Sequence, residues 1–596
     1  MLWRGSADGL SAMADLTEDA ASQADKEEVK SADRMCHTHY TTMRAQSLFP
    51  RTWYAWQEGM ASTRAWWLEP TSPCYPSPVR ARVTLPLVIL ASGTLYLLFL
   101  QDLLLDWDPV QFALALEHFS MPMHQPHPPG YFGFLSVAYI LGWLGLPSDQ
   151  AVRAASLFFT ALSAGALYLV GARLFDRGVG LFSAVAFATH PVTIYYAVSG
   201  ESYPTEPLLA CLLMMLACGA SKGAFFFALG LSGGFRQGLM VYFAPVAVLV
   251  FARQVKGLAG TLKHLARCTG AFGAGLALWL PATVALAGGM GQWVRASKGQ
   301  HLALFAASFS PLFGAPAQMS LQNLDELLHC LLSIAIPLLP VVLALLPLAL
   351  RHGVALAFVG NWAVLALSFI GPTLYFALMW ISKPGYLLVV TPAFTLASAA
   401  VVNRAIPRLA PLVLAGIALF QLAFFLAPPF TWAAYVSPCT LPAMEYQQEV
   451  ARDALSSLKG LGGGDCVAVV TRYGGGLSFR AAMYNLPEYH VYWLVDHEST
   501  GAPLTGADIC EGHHHEVSCV SGLAFYEQTD LLDTAVVRLP EGTRRIVWVG
   551  TGPFFQALAK ATKLEEVPAG RSGVLLVSEV GPGGFKLAVG PYVFER

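Results

Sequence analysis

Residues 153–199 read RAASLFFTALSAGALYLVGARLFDRGVGLFSAVAFATHPVTIYYAVS, two apolar runs (153–173 and 178–199) joined by a turn that holds Arg173 and Arg177. Each run reaches the roughly 17–25 residues a helix needs to cross a hydrocarbon core. The basic joint marks their shared end as cytoplasmic. The same pattern continues on both sides. Further apolar runs lie at 84–100, 205–220, 269–289, 328–350, 353–371, 385–402 and 409–427, with shorter ones at 131–146, 223–234 and 238–252.

Composition agrees. The 596 residues are 55% hydrophobic and 12% charged, about half the charge of a soluble globular chain. A net charge of -2 gives no basic field for nucleic acid. Arg80 with Arg82, Arg173 with Arg177, Lys222, the set Arg253, Lys256, Lys263 and Arg267, then Arg351, and Arg404 with Arg408 are the cytoplasmic anchors. They agree with one another when 131–146 stays on one side and 223–234 with 238–252 form a hairpin of two short crossings. That predicts an all-α polytopic bundle of about eleven transmembrane helices, with the C-terminus outside. Alternatively, 131–146 spans and 223–252 is one kinked helix.

Three regions follow. Residues 1–80 are polar, without the layout of a cleavable signal, and read as a disordered cytoplasmic extension or an over-long start. Residues 81–430 form the membrane domain. Residues 431–596 read as a soluble α/β domain on the outer side, with strands at 466–471, 490–495, 545–549 and 573–579 and a helix at 553–562. Gly462 to Gly464 and Gly474 to Gly476 are loop glycines, not a phosphate-binding fingerprint. Cys211, Cys218, Cys268 and Cys330 sit in or beside apolar runs as small hydrophobes. Cys439, Cys466, Cys510 and Cys519 lie in the polar part, where Cys510 can pair with Cys519.

The outer loops carry the chemistry. The first holds Asp102, Asp106, Asp108 and Gln111, then His124-Gln-Pro126-His127-Pro128-Pro129-Gly130-Tyr131. Alone, these are ordinary loop charges. The second, Glu201-Ser-Tyr203-Pro204-Thr-Glu206-Pro207, faces the same side, and Glu206 opens an apolar run at a depth where a carboxylate is costly. Glu201 joins it on that face. Arg236 sits at the tip of the hairpin, whose arms rise roughly 16–22 Å, so it faces protein or a water-filled cavity. Carboxylates and a buried cation on one face suit glycosyl transfer from a lipid phosphate. That reaction needs a base for the acceptor proton and cations for the leaving phosphate.

The chain resembles the GT-C glycosyltransferases, above all the branch of the protein O-mannosyltransferases and the aminoarabinose transferases of lipid A. Their first-loop motif Asp-Glu-x-x-Tyr-Ala is matched by Asp108-Pro109-Val110-Gln111-Phe112-Ala113, with Pro109 where the family has a second acid. Their Pro-rich turn is matched by His127 to Tyr131, the second-loop carboxylate by Glu206-Pro207, a Gly-rich break with a base by Gly233 to Gly238, and a basic-Pro-x-Tyr element by Lys383 to Tyr386. The resemblance implies that Asp108 is the general base, with Asp106 as its stand-in and Glu206 assisting. It further implies that His127, Arg236 and Lys383 meet the lipid phosphate, that Tyr131 and Tyr386 pack on sugar or lipid, and that transfer inverts. No cofactor is fixed; a divalent cation on Asp108 and Glu206 is the one candidate.

The expected function is transfer of a sugar from a polyprenyl-phosphate donor to a glycan, lipid or protein acceptor, in a bacterial inner membrane with the C-terminal domain in the periplasm. The rivals are a transporter or flippase for an anionic or lipid-linked substrate, and a non-catalytic scaffold. Arg295, Lys298 and His301 in the outer loop 290–326, and His513 to His515, read as loop residues.

Overall fold

The computed structural model describes residues 78–596 apart from 220, 254–256, 299–309, 337, 352–358, 429–438, 465–466, 473–476, 496–507, 515, 521–534, 551–557 and 590–591. Residues 1–77, and with them nearly all of the expected extension, fall outside the described residues, as do His301, Cys466, Gly474 to Gly476, His515 and most of the expected helix 553–562.

Among the described residues, four helices are long and apolar enough to cross a membrane: Ser148–Leu174, Gly260–Leu286, Asn361–Leu378 and Pro384–Ala405. Two runs that read as single spans are broken in the structure. The run 178–199 forms Arg177–Ala188 and Pro191–Val198, bent by 62°, because Pro191 cannot donate into the preceding turn. The run 328–350 forms Ala317–Ala335 and Leu338–Arg351, bent by 72°. Counting each bent pair as one span gives six. Val83–Leu97, Thr205–Cys218, Lys222–Ser232 and Ala410–Leu426 are apolar but shorter. The loop 290–326 is also more structured than expected, holding Met290–Lys298 as well as the start of Ala317–Ala335.

Contacts sort the helix ends. Arg153, near the start of Ser148–Leu174, donates to the Asp102 carbonyl at 2.8 Å. Ser148 Oγ meets Glu117 at 2.5 Å. The chain from 102 to 148 therefore leaves and returns at one end of the bundle. Helix Phe132–Trp143 has 12 residues, about 18 Å at 1.5 Å per residue, and its Phe134 ring lies 6.2 Å from Phe159, partway along Ser148–Leu174. Its first turn is tied to the hairpin tip, with Gly133 N–H donating to the Gly234 carbonyl at 2.6 Å.

The C-terminal part starts with helix Leu441–Gly460. Its strands are β1 Val467–Arg472, β2 His490–Val495, β3 Asp508–His513, β4 Glu516–Val520, β5 Ala535–Arg538, β6 Arg545–Val549, β7 Glu565–Pro568, β8 Val574–Glu579, β9 Lys586–Val589 and β10 Tyr592–Glu595. Seven form one sheet in the order β4-β3-β2-β1-β6-β8-β7, and β5-β10-β9 form a second. In the first sheet β1 runs parallel to β2 and β6, and the outer pairs are antiparallel. Parallel centres are covered on both faces, and Ala468, Val469, Ile546 and Val547 are fully buried. Cys510 is disulfide-bonded, and Cys519 stands opposite it in the β3–β4 register. One hydrophobic cluster joins Leu104, Phe112, Phe134 and Phe159 to Leu455, Phe479, Val491 and Val547. The sheet region and the first loop thus share a core.

Candidate active site

Asp106 caps helix Trp107–Glu117, accepting from the Trp107 N–H at 2.8 Å through Oδ1. That leaves Oδ2 for Lys383 Nζ, at 2.8 Å. The same ammonium lies 2.7 Å from Glu201 Oε1 and 3.9 Å from Asp108 Oδ2. Three acids from two loops therefore surround one lysine that arrives just before Pro384. Burial pushes the Asp106 carboxyl up, but Lys383 and hydrogen bonds from Lys383, Glu201 and Trp107 pull it down to about 2. Burial dominates at Glu201, whose carboxyl is held well above the ordinary range with Asp108 and Asp106 adding to the rise against Lys383. Burial opposes the charge on Lys383, yet Asp106 and Glu201 hold it well above the usual lysine value.

A second ion pair stands beside the first. Glu206, in the first turn of Thr205–Cys218, is fully buried and lies 2.5 Å from Arg236 Nε. Arg236 also donates to Ser202 Oγ at 3.2 Å. Its guanidinium lies 4.3 Å from the Tyr203 ring, 5.6 Å from Tyr131 and 5.7 Å from Tyr386. Lys383 Nζ lies 5.4 Å from the same Tyr203 ring. Both cations thus lie within 6 Å of one aromatic ring, where its electron-rich surface attracts each.

His127 Nδ1 is 3.8 Å from Asp108 Oδ1. Burial drives this imidazole down to about 4 against the pull of Asp108, with Arg236, Lys383 and Arg480 pushing the same way as burial. It is neutral at pH 7, so the contact is not an ion pair. Asp108 is the least engaged of the three acids around Lys383, with Lys383 and His127 both beyond hydrogen-bond distance.

All nine residues singled out in the sequence (Asp106, Asp108, His127, Tyr131, Glu201, Glu206, Arg236, Lys383 and Tyr386) gather here. Asp108 and Glu206 do not form a joint pair. Glu206 is taken by Arg236, and among the described residues no group of three His, Cys, Asp or Glu is placed to hold a metal. Arg295 and Lys298 lie on the short helix Met290–Lys298, whose Trp293 Nε1 donates to the Pro129 carbonyl at 3.1 Å. Sequence reasoning missed Ser202, Tyr203 and Gln111. Tyr203 stood inside the second-loop motif, but an aromatic near a helix end reads as an interface anchor. Gln111 lies one turn beyond Asp108, fully buried, and among the described residues neither of its amide atoms has a hydrogen-bond partner.

No known family profile matches the sequence, and no curated protein does. Solved structures match in fold. ArnT from Cupriavidus metallidurans in the apo state aligns over 83% of this chain and 97% of its own, with TM-score 0.52 and 12% identity. The same protein bound to undecaprenyl phosphate aligns over 84% and 98%, with TM-score 0.52 and 14% identity. The fold is that of ArnT. The resemblance drawn from five short motifs within about 84–430 is met by a fold match that covers nearly the full length of ArnT. At this identity the likeness to ArnT carries architecture alone.

Proposed function

We propose that this chain is an integral-membrane glycosyltransferase that moves a sugar from a polyprenyl-phosphate-linked donor to an acceptor on the extracytoplasmic face, with inversion. The observation that carries it is the gathering of Lys383 and Arg236 about the Tyr203 ring, with Asp108 held loosely beside Lys383. Two cations gathered about one ring suit a phosphate that gains charge as it leaves. The unpartnered atoms of Gln111, Glu201 and His127 favour a polar ligand here, since buried polar groups are ordinarily satisfied. ArnT has been solved with undecaprenyl phosphate bound, which supports the donor class.

In this reading Asp108 takes the acceptor hydroxyl proton, the acceptor oxygen bonds to the anomeric carbon, and the carbon–phosphate oxygen bond breaks. Lys383 and Arg236 take up the charge on the departing polyprenyl phosphate. Asp106 fixes Lys383, Glu206 fixes Arg236, and Tyr131, Tyr386 and His127 line the sugar or lipid. A divalent ion at Asp108 is a separate proposal, tested by activity after chelation and re-addition. The topology that goes with this function has eleven crossings, with residues 431–596 outside, in a bacterial inner membrane. The acceptor is a glycan, lipid or protein.

The test is sugar release from radiolabelled polyprenyl-phosphate sugars by purified wild-type and Asp108→Asn protein. Wild-type turnover is expected, with a fall of about 100-fold or more in the variant and donor binding retained. Tight lipid binding without turnover across donors would replace the enzyme by a carrier. The two bent spans are the feature that favours a carrier, but their breaks serve each other: His190 Nε2 meets the Ile336 carbonyl at 3.2 Å.

A further inference from the structure

Arg480 belongs to the C-terminal part, in helix Phe479–Asn485, yet it is fully buried against the first outer loop. Its guanidinium donates to the Met123 carbonyl at 2.7 Å and lies 5.6 Å from the Trp107 ring. Met123 opens the turn that carries His127, and Trp107 stands between Asp106 and Asp108. The neighbouring contacts pull the same way. Gln448 brackets Leu103, accepting from its N–H at 2.8 Å and donating to its carbonyl at 2.9 Å. Ser478 Oγ donates to the Leu105 carbonyl at 3.4 Å. Arg452 pairs with Asp102 at 2.7 Å. Trp493 lies 5.0 Å from Trp107.

We propose that Arg480 is a positioning residue: it binds the Met123 carbonyl and the Trp107 face together, and so sets where Asp108 and His127 stand relative to Lys383. The C-terminal sheet region is then part of the active site's frame and not an appended module. The geometry explains why arginine serves. One planar group reaches a carbonyl along its edge while its face lies on an indole, which a lysine ammonium cannot reproduce. The charge adds a second effect. Arg480 is one of the cations that keep His127 neutral. Burial alone lowers Arg480, to about 9, so it remains charged at pH 7.

The inference rests on the proposed transferase reading for its kinetic arm only. The experiment compares full-length wild type, Arg480→Met and Arg480→Lys by amide hydrogen exchange and by sugar transfer. Exchange in 103–131 is expected to quicken at least tenfold in Arg480→Met, with β1, β2 and β6 still protected. In the kinetic arm, kcat is expected to fall at least tenfold, KM for the donor to move less than twofold, and the acid limb of the pH profile to rise as His127 titrates more easily. Arg480→Lys is expected to recover part of both. Unchanged exchange in 103–131 overturns the proposal whatever the activity. So does a variant that loses donor affinity with kcat intact, which would make Arg480 a binding group. Should Arg480→Met lose the sheet's protection, Arg480→Lys decides, since it keeps the charge and must still loosen the loop. If no donor turns over in wild type, the transferase reading falls while the exchange result still judges Arg480.

Discussion

Lys383 meets Glu201 at 2.7 Å and Asp106 at 2.8 Å, so Lys383→Met leaves acids facing one another without a cation. Breaking a buried pair costs about 3–5 kcal/mol; the side chain is 23% exposed, which places the expected loss near the lower figure. A fall in melting temperature in detergent, smaller for Lys383→Arg, checks it. His127 gives the pH dependence. Its folded value, about 4, lies below the ordinary 6.5, so its contribution is complete above pH 6.5 and is lost as pH falls toward 4. Asp106, held at about 2, contributes above its ordinary value near 4 and loses that only in stronger acid. Glu201, whose carboxyl is held high, pulls the other way, so the check is the difference between variants: between pH 7 and 4 the melting curves of His127→Asn should lose less stability than wild type, and identical slopes would refute the assignment. Asp106, Glu201, Glu206 and Lys383 were legible because charge is scarce in such a chain and each stood beside an apolar run. Arg480 was not, because arginine is common in soluble sequence and only tertiary packing buried it.

Between elements, glycine sets the spacing of the hairpin arm. A Cβ on Gly230 would collide with the Phe272 carbonyl, and one on Gly275 with the Phe227 carbonyl. Helices Lys222–Ser232 and Gly257–Ala277 thus approach closely through small residues, as membrane helices do. Gly230→Val is expected to destabilise by about 1–3 kcal/mol. Gly273→Val, on the facing helix Gly257–Ala277 with open space around it, is the control that should melt like wild type. β1, β2, β6 and β8 were legible as runs of Val, Ile and aromatic residues. β3, with its Glu511-Gly512-His513 end, the five-residue β4, and the four-residue β5, β7, β9 and β10 were not, since strands this short carry little alternation. The breaks at Pro191 and Ile336 were also missed, because an apolar run gives length but not straightness.

For the molecule as a whole, the proposed topology puts Arg351 and Arg404 on one side and Asp102 and Arg452 on the other. Single cysteines at these positions, labelled from each side of sealed vesicles by an impermeant reagent, should react in those two groups; labelling of positions 102 and 452 from the cytoplasmic side would reverse the orientation. Charge order in the sequence carried this sidedness, while the union of loop and sheet in one core depends on contacts between distant segments and left no trace there. Asp106 and Lys383 are 277 residues apart, and the groups that grip the first loop, Gln448, Arg452 and Arg480, follow later still. A ribosome must thread the bundle's helices through the insertion machinery before the acids have their cation, and finish the sheet before the loop is seated. A chain interrupted partway therefore carries the acids without their cation and the first loop without its frame, and on the proposed function it has no assembled site to offer a lipid.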